Sequence, residues 1–250
     1  YFWSKPDVIA YCEKHFAEVG NTARSLGVRL SFHPGQFTVL ASESDDIIDR
    51  SIEEFEYHVN MARWMGYGKK FQDFKINVHI SGRRGPQGII DVLPRLSPEA
   101  RNTITIENEE MKWGLGDVLQ LEKHLALVFD IHHHWVNCGE WITVDDDRIK
   151  RIIDSWRGVR PVMHYSQPKE ILHNKVDQAK LLDREKLFEQ GENRTTIRAH
   201  SDYYWHIPTN NWIKPFGKLF DIQCESKAKN LASSLLAAQY ELISIGSPVL

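Results

Sequence analysis

Helical and strand patterns alternate along the whole chain, and no stretch rich in proline, glycine or serine interrupts them. We predict helices at residues 5–26, 45–65, 87–96, 117–124, 145–156 and 227–243. We predict strands at residues 28–32, 74–80, 103–106, 125–130, 159–163, 196–199 and 219–224. This alternation is typical of a parallel sheet covered by helices. It indicates a single domain over residues 1–250, with an insertion at about 167–195.

Seven predicted strands are one fewer than a closed (β/α)8 barrel requires, and the chain opens on a helix. We therefore expect an α/β fold, a TIM (β/α)8 barrel with its first strand missing or altered. The length of 250 residues is at the single-domain end for such barrels. The formal net charge of −3 argues against a protein that holds nucleic acid through a uniformly basic surface. It does not argue against a nuclease, because bound cations add positive charge.

The three cysteines are widely spaced and form no CxxC pair, which indicates a reduced, intracellular chain without a thiolate metal site. No apolar run is long enough to span a bilayer, so no membrane partner is expected. Tyr1 begins no signal peptide.

At or next to the carboxyl end of every predicted strand lies a side chain that can bind a metal ion. In chain order these side chains are His33, His79, Glu107, Asp130, His164, His200 and Glu225. In a parallel barrel the carboxyl ends of the strands converge on one face, so we expect these ligands around one pocket. A single histidine at a strand end is more often structural, but seven ligand side chains on one face indicate a site.

Imidazole and carboxylate ligands without thiolate suit Zn, Mn or Fe, and the set is larger than one four-coordinate ion can use. Two or three ions are therefore implied. Clustered ions activate a water molecule and neutralise the attacking and leaving oxygens of a phosphoryl displacement. The pattern thus favours phosphodiester hydrolysis.

Six segments in a fixed order resemble the UV damage endonucleases. They are SFHPGQFTVL (31–40), NVHISG (77–82), TIENEE (105–110), FDIHHH (129–134), RPVMHYS (160–166) and AHSDYYW (199–205). The resemblance implies a TIM barrel related to the endonuclease IV repair enzymes and the xylose-isomerase-like superfamily. It also implies cleavage of damaged double-stranded DNA immediately 5′ of a UV photolesion. We expect the chain to act as a monomer. The implied cofactors are two or three divalent ions, Mn first, with Zn or Mg as alternatives.

Carried over residue by residue, the resemblance implies three ion sites. The first ion has His33, His79 and Glu107 as ligands. The second has Glu107, Asp130, His164 and Glu225. His133 and His200 contribute to the third, and His133 is chosen over His132 and His134 because it matches the Asp-x-x-His pattern of the family. Catalytic roles fall to Glu107, Glu225 and His164, the glutamates bridging ions or positioning the attacking water.

Four residues are predicted to contact DNA. Gln36 matches the glutamine with which the family probes the damaged site, and Phe37 stands where the family commonly has tyrosine. Phe37 retains a stacking role without the hydroxyl. Arg83 and Arg84 follow His79 and are predicted phosphate contacts, with a solvated loop as the alternative.

The chain departs from the family pattern at one ligand. Val162 stands where the family has a carboxylated lysine that binds metal, in the segment Pro161–His164. A valine cannot bind metal, so the third ion must use another group, bind weakly or be absent. The charged insertion at 167–195 is expected to be a solvated excursion, with a helical flap over DNA as the alternative.

Three other functions remain open at this stage. An apurinic-site endonuclease uses nearly the same ligands. A sugar isomerase or epimerase of the same superfamily needs only the second ligand set, so the additional histidines argue against it. A noncatalytic DNA-damage binder is the third alternative, and the eight retained ligands argue against it.

Overall fold

The computed structural model describes residues 5–245, which contain eleven α-helices and six β-strands. The helices are α1 (Pro6–Ser25), α2 (Asp45–Trp64), α3 (Gly85–Val92), α4 (Pro98–Thr103), α5 (Leu115–Val118), α6 (Ile131–Cys138), α7 (Asp147–Ser155), α8 (Arg184–Glu189), α9 (Arg194–Arg198), α10 (Ile207–Ile213) and α11 (Asn230–Ile245). The strands are β1 (Ser31–Phe32), β2 (Lys75–His79), β3 (Ile104–Glu107), β4 (Ala126–Asp130), β5 (Val162–Tyr165) and β6 (Asp221–Cys224).

The described chain divides into two compact units. The first unit contains the described residues up to Glu107, together with Gly116–Leu127 and Asp154–Val159. The second contains Asn108–Leu115, Val128–Ile153 and the described residues from Arg160 onward.

Strands β1, β2 and β3 of the first unit pair in parallel. The apolar residues directly before and after β2 are fully buried. Every residue of β2 itself is also buried except the last, His79, which is half-buried. In the register of β2 with β3, His79 lies opposite Glu107. The two strands therefore end level with each other.

Strands β4, β5 and β6 contribute the parallel pairs of the second unit. Asp130 lies opposite His164, and His164 lies opposite Gln223. The aromatic side chains of Phe129 and Tyr165 are fully buried beside these polar positions. The predicted α/β class, with parallel strands and helices between them, is confirmed.

Several predicted elements are confirmed closely. The helix predicted at 45–65 is α2, with Ser44 as its N-cap residue. The strands predicted at 74–80, 103–106 and 125–130 are β2, β3 and β4. These elements could be predicted from the sequence because each contains a strong apolar pattern that is bounded by turn residues.

The strand predicted at 196–199 is wrong, because residues 196–198 belong to helix α9 and Ala199 is its C-cap residue. Its β-branched residues favour a strand, but Asn193 caps the helix by accepting a hydrogen bond from the Thr196 backbone N–H at 3.0 Å. Helix α6 begins directly after Asp130, because the Asp130 carboxylate accepts the backbone N–H of His133 at 2.7 Å and caps the helix.

The insertion at 167–195 is not the solvated excursion that the sequence predicts. Its apolar side chains form a buried cluster with helices α6 and α9: Leu172, Leu182, Leu187, Trp135, Val136 and Ile197. The indole N–H groups of Trp135 and Trp141 both donate to the Leu182 carbonyl. The segment is thus a packed part of the second unit.

Most basic residues of the insertion pair with acidic neighbours of the same unit. The pairs are Lys175 with Glu192, Lys180 with Asp177, Arg184 with Glu185, and Lys186 with Asp183. This local pairing removes much of the positive charge that a helical flap over DNA would require.

Among the described residues, no helix is both long enough and apolar enough to cross a bilayer.

Helices α1 and α2 of the first unit approach each other closely at Gly20. A Cβ atom at this position would stand 2.0 Å from the carbonyl oxygen of Met65, the residue that ends α2. Arg24, one turn further along α1, donates to the same oxygen at 2.7 Å. The absence of a side chain at Gly20 is therefore a requirement of this helix contact.

We expect Gly20→Ala to lower the free energy of unfolding by about 2 kcal/mol, because the backbone clash outweighs the better helix propensity of alanine. For a chain of this size the melting temperature should fall by about 4 to 8 °C. The control is Gly116→Ala, where no described atom lies within 4 Å of the added Cβ. A Gly20→Ala protein that melts at or above the wild-type temperature would contradict this packing.

Candidate metal centre

The first unit brings three predicted ligands together. His33 directly follows β1, and His79 and Glu107 end β2 and β3. One ligand atom from each side chain lies within 4.8 Å of the others. The His33 Nε2 atom is 3.4 Å from a carboxylate oxygen of Glu107, which is fully buried. The level strand ends thus produce a compact set of two imidazoles and one carboxylate.

Asn77 organises this first set from within β2. Its side-chain amide donates to Glu107 and lies 3.2 Å from His33 Nε2. Its amide oxygen accepts the Thr105 hydroxyl at 2.9 Å. The His33 Nδ1 atom lies 3.1 Å from the Pro34 carbonyl, which places the ring proton on Nδ1. Nε2, the atom that faces Glu107, then carries the lone pair.

The second unit brings together Asp130, His164 and Glu225. Asp130 ends β4, His164 lies within β5, and Glu225 directly follows β6. One ligand atom from each lies within 4.8 Å of the others. His164 Nδ1 is 3.1 Å from a carboxylate oxygen of Glu225. Asp130 and His164 are fully buried, so these ligands are held in the interior of the unit.

Asn108 holds the end of β4 in place. Its amide N–H donates to the Asp130 carbonyl at 2.9 Å, and its amide oxygen accepts the Asp130 backbone N–H at 2.9 Å. The Asn108 carbonyl also accepts from His133 Nδ1 at 3.0 Å. One asparagine therefore orients two predicted ligands.

The three consecutive histidines of α6 have different surroundings. His133 contacts Asn108, whereas His132 stacks on Trp135 and meets the ring of His200 edge-on. Burial holds the pKa of His132 well below its ordinary value, and the nearby His200 and His133 lower it further. His132 is thus neutral at physiological pH, and the choice of His133 as the ligand stays a prediction.

His200 lies near the backbone of the segment that follows β6. Its Nδ1 atom is 2.8 Å from the Glu225 carbonyl, and its ring centroid is 6.2 Å from that of His133. His33, His133 and His200 thus share one feature, an Nδ1 atom beside a backbone carbonyl. This arrangement is typical of metal-binding histidines, because it fixes the ring and leaves the lone pair on Nε2.

The donor sets of both units fit divalent metal ions. Neutral imidazole nitrogen and carboxylate oxygen are the ligands that Mn, Zn and Fe share. Burial of Glu107 and Asp130 would be costly for bare carboxylates, and a cation offsets that cost. The residues predicted as ligands in each unit are therefore chemically suited to metal.

A further donor group, His134, Cys138 and Glu140, also lies in the second unit. Arg148 donates to both Glu140 oxygens at 2.8 and 2.6 Å, and it also pairs with Asp146. Hydrogen bonds from this guanidinium lower the pKa of Asp146 to about 2 and lower the pKa of Glu140. The Glu140 carboxylate is thus engaged in an ion-pair network, and we assign no metal to this group.

The residues predicted to contact DNA lie on loops of the first unit. Gln36 and Phe37 form a turn after His33, and 83% of the Phe37 surface is exposed. Phe37 borders a cavity of about 450 Å³. Arg83 is exposed and pairs with Glu43 at 3.3 Å.

The fourth of these residues, Arg84, pairs with Asp91. Its own backbone N–H donates to the Ala41 carbonyl, so the loop is fixed against the first unit. Both arginines are partly or largely exposed, and neither is buried in the protein interior.

The two asparagines that orient the ligands were not predicted from the sequence. Asn77 lies inside a strand and Asn108 directly follows one, and both side chains are buried. Because asparagine is disfavoured in strands, its presence in an apolar run is the signal that would have revealed them.

Solved structures with a similar fold confirm the predicted fold class. The structure described as SacUVDE matches with a TM-score of 0.71 at 22% identity, covering 97% of this chain and 74% of that one. Endonuclease IV from Thermus thermophilus matches with a TM-score of 0.61 at 13% identity, covering 97% and 83%. Six described strands correspond to a partial or altered form of the TIM barrel.

Sequence comparison provides the family. The UV DNA damage endonuclease of Bacillus pumilus (strain SAFR-032) is 28% identical over 96% of this chain and 69% of its own length. The UV-damage endonuclease of Schizosaccharomyces pombe (strain 972) is also 28% identical, over 94% of this chain but only 37% of its own length. The profile of the family described as UV-endonuclease UvdE matches residues 4–246. The chain therefore belongs to the UV-endonuclease UvdE family.

Proposed function

We propose that this chain cleaves double-stranded DNA on the 5′ side of UV photolesions by hydrolysing the phosphodiester bond. The observation that carries the proposal is the compact set of His33, His79 and Glu107 at the strand ends of a UvdE family member. The relatives named above are endonucleases by name, and the two donor sets are chemically suited to such a reaction.

Two or three divalent ions serve this reaction, Mn in first place, with Zn or Mg as alternatives. The proposed ligands are His33, His79, Glu107, Asp130, His133, His164, His200 and Glu225. Bound divalent ions supply an activated water and neutralise charge on the phosphate oxygens. Glu107 and Glu225 would hold the ions or position the attacking water, and His164 lies beside the Glu225 carboxylate at 3.1 Å and orients it.

Gln36 and Phe37 enter the duplex at the lesion. Extruding bases costs least where damage has already weakened pairing and stacking, so a probing turn finds damaged sites preferentially. The exposed ring of Phe37 is available for stacking without prior rearrangement of the core.

Arg83 and Arg84 contact backbone phosphates. Their partners Glu43 and Asp91 are partly or largely exposed, and exposed ion pairs contribute little to stability. A DNA phosphate can therefore replace these carboxylates at small cost, with bidentate contacts from the guanidinium groups.

The chain acts on DNA as a monomer inside the cell. Its compartment follows that of the DNA, which is the cytoplasm for a prokaryotic or viral protein and the nucleus for a eukaryotic one.

The central test is nicking of a labelled duplex that carries one pyrimidine dimer, beside an abasic duplex and an undamaged duplex, in Mn²⁺ and in EDTA. We expect a Mn²⁺-dependent cut immediately 5′ of the dimer. His164→Ala should reduce the rate by about 100-fold or more, because it removes a proposed ligand. The control His124→Ala changes an exposed histidine and should nick at the wild-type rate.

The outcomes of this assay separate the alternatives. Cutting of the abasic duplex alone would show that the substrate is an apurinic site and not a photolesion. Binding of the dimer duplex without cutting would indicate a damage-binding protein. Conversion of an aldose to a ketose, with no nicking of any duplex, would indicate a sugar isomerase.

Phe37→Ala tests the probing turn. We expect KM for the dimer duplex to rise about 10- to 100-fold with a smaller change in kcat, since stacking on a base contributes about 1 to 3 kcal/mol. Tyr11→Ala is the matched control, because Tyr11 is an exposed aromatic residue on α1. Equal KM values for the two variants would show that Phe37 does not contact the lesion.

Asn108→Ala tests the residue that orients Asp130 and His133. Loss of its two hydrogen bonds to Asp130 should weaken Mn²⁺ binding by about 10- to 100-fold, as expected for a group that orients ligands. Calorimetric titration with Mn²⁺ measures the effect, with the exposed Asn174→Ala as control. Unchanged affinity in a folded Asn108→Ala protein would refute this positioning role.

A further inference from the structure

One carbonyl oxygen at the end of β5 lies between two of the candidate ligands. Tyr165 directly follows His164, and its carbonyl oxygen accepts the backbone N–H of Glu225 at 2.9 Å. The same oxygen accepts the hydroxyl of Tyr204 at 3.1 Å. A carbonyl oxygen has two lone pairs, so it can accept both donors at once. The backbone contact that sets Glu225 beside His164 is therefore shared with the side chain of Tyr204.

Tyr204 is fixed in the interior of the second unit. It is 5% exposed, and its ring stacks on that of Tyr165 with the centroids 4.9 Å apart and the planes at 14°. Burial raises the pKa of its hydroxyl, and the nearby Cys224 raises it further, so the group keeps its proton and donates. The hydroxyl lies close to the side chains of Cys224 and Ser226, which flank Glu225 in the chain. Tyr204 thus packs against the residues on both sides of this ligand.

The segment that carries Tyr204, residues 200–204, also contacts the other side of the Glu225 backbone. The Nδ1 atom of His200 lies 2.8 Å from the Glu225 carbonyl oxygen. Beyond this contact, the Ser201 carbonyl accepts the backbone N–H of Lys227 at 3.0 Å. The backbone of Glu225 is therefore engaged on both sides of its Cα atom, so that its side-chain dihedrals alone remain to place the carboxylate.

The insertion holds segment 200–204 in turn. The carboxylate of Glu170 accepts the backbone N–H groups of Asp202 and Tyr203, both at 2.8 Å. Hydrogen bonds from backbone N–H groups to a carboxylate are charge-assisted, and they are stronger than bonds between neutral groups. Tyr204 therefore follows directly on a stretch of backbone that Glu170 fixes in place.

We propose that Tyr204 is a positioning residue for the metal-binding carboxylate of Glu225. By donating to the Tyr165 carbonyl, its hydroxyl holds the end of β5 against the segment that follows β6. This contact keeps the Glu225 carboxylate at its distance of 3.1 Å from His164 Nδ1. The role rests on the proposed function, in which Glu225 and His164 bind the same ion.

Tyr204→Phe tests this role, because it removes the hydroxyl and keeps the stacked ring. The matched control is Tyr203→Phe, the same change at the adjacent residue, which is 41% exposed. Glu170→Ala is a second variant, which releases the segment that carries Tyr204 without changing a residue of the core. Equilibrium dialysis counts the Mn²⁺ ions bound per chain and their affinities, in the wild-type background and in a Glu225→Ala background. Thermal unfolding in EDTA measures the effect of each change on folding separately.

We expect Tyr204→Phe to weaken the binding of one Mn²⁺ ion about tenfold, as for a group that orients a ligand. Glu170→Ala should weaken the same ion by a smaller factor, and Tyr203→Phe should bind as the wild type does. In the Glu225→Ala background Tyr204→Phe should have no further effect, because Tyr204 acts through that carboxylate. On the dimer duplex kcat should fall with KM unchanged, since a buried hydroxyl makes no contact with DNA.

Equal Mn²⁺ affinities of Tyr204→Phe and Tyr203→Phe would overturn the proposal, and a lower melting temperature alone would then show a purely structural role. An undiminished effect of Tyr204→Phe in the Glu225→Ala background would overturn it as well. If Tyr204→Phe does not fold, an unchanged Mn²⁺ affinity of Glu170→Ala has the same consequence. A wild-type chain that binds no Mn²⁺ would overturn the proposal together with the proposed metal sites. If Tyr204→Phe weakens Mn²⁺ binding through Glu225 but the wild type nicks no duplex, the proposed function fails and the role of Tyr204 stands.

Discussion

Parallel pairing in register is the constraint on which the ligand sets of both units depend. Within the first unit His79 lies opposite Glu107, and within the second Asp130 lies opposite His164. The paired ligand residues of neighbouring strands therefore lie side by side, and residues far apart in sequence come within a few ångströms of each other. A slip of one residue would turn each ligand to the opposite face of its strand. Buried aromatic side chains such as Phe129 resist that slip, since it would also carry them out of the core.

Burying carboxylates at these strand ends costs desolvation free energy, which hydrogen bonds from the surrounding residues partly offset. Glu107 accepts a hydrogen bond from Asn77, and Asp130 accepts the backbone N–H of His133 while Asn108 holds its main chain. These contacts orient the carboxylates in a medium that disfavours charge. Bound cations would add the opposite charge and so offset the cost of this burial. The same arrangement prepares the site for ions and explains why asparagines occur in otherwise apolar segments.

Regular apolar patterns and strand-end polar residues could be interpreted from the sequence, because both depend on local spacing. Two segments were predicted wrongly from the sequence, one because of a helix cap and one because of packing against distant residues. Thr196 and Ile197 favour a strand by their residue type, but the cap at Asn193 starts a helix. In the insertion, the charged composition suggests a solvated segment, whereas Leu182 and its apolar neighbours become a core only by packing on Trp135.

The sequence by itself determined the chemistry of this protein: which side chains end the strands, which metals they suit, and which family shares their order. Tertiary structure alone decided how those side chains are oriented. It showed that Asn108 orients Asp130 and His133. The physical reason is that residue type and spacing specify local geometry. The residues that orient a ligand come from other segments of the chain, and no periodic pattern in the sequence indicates which segments these are.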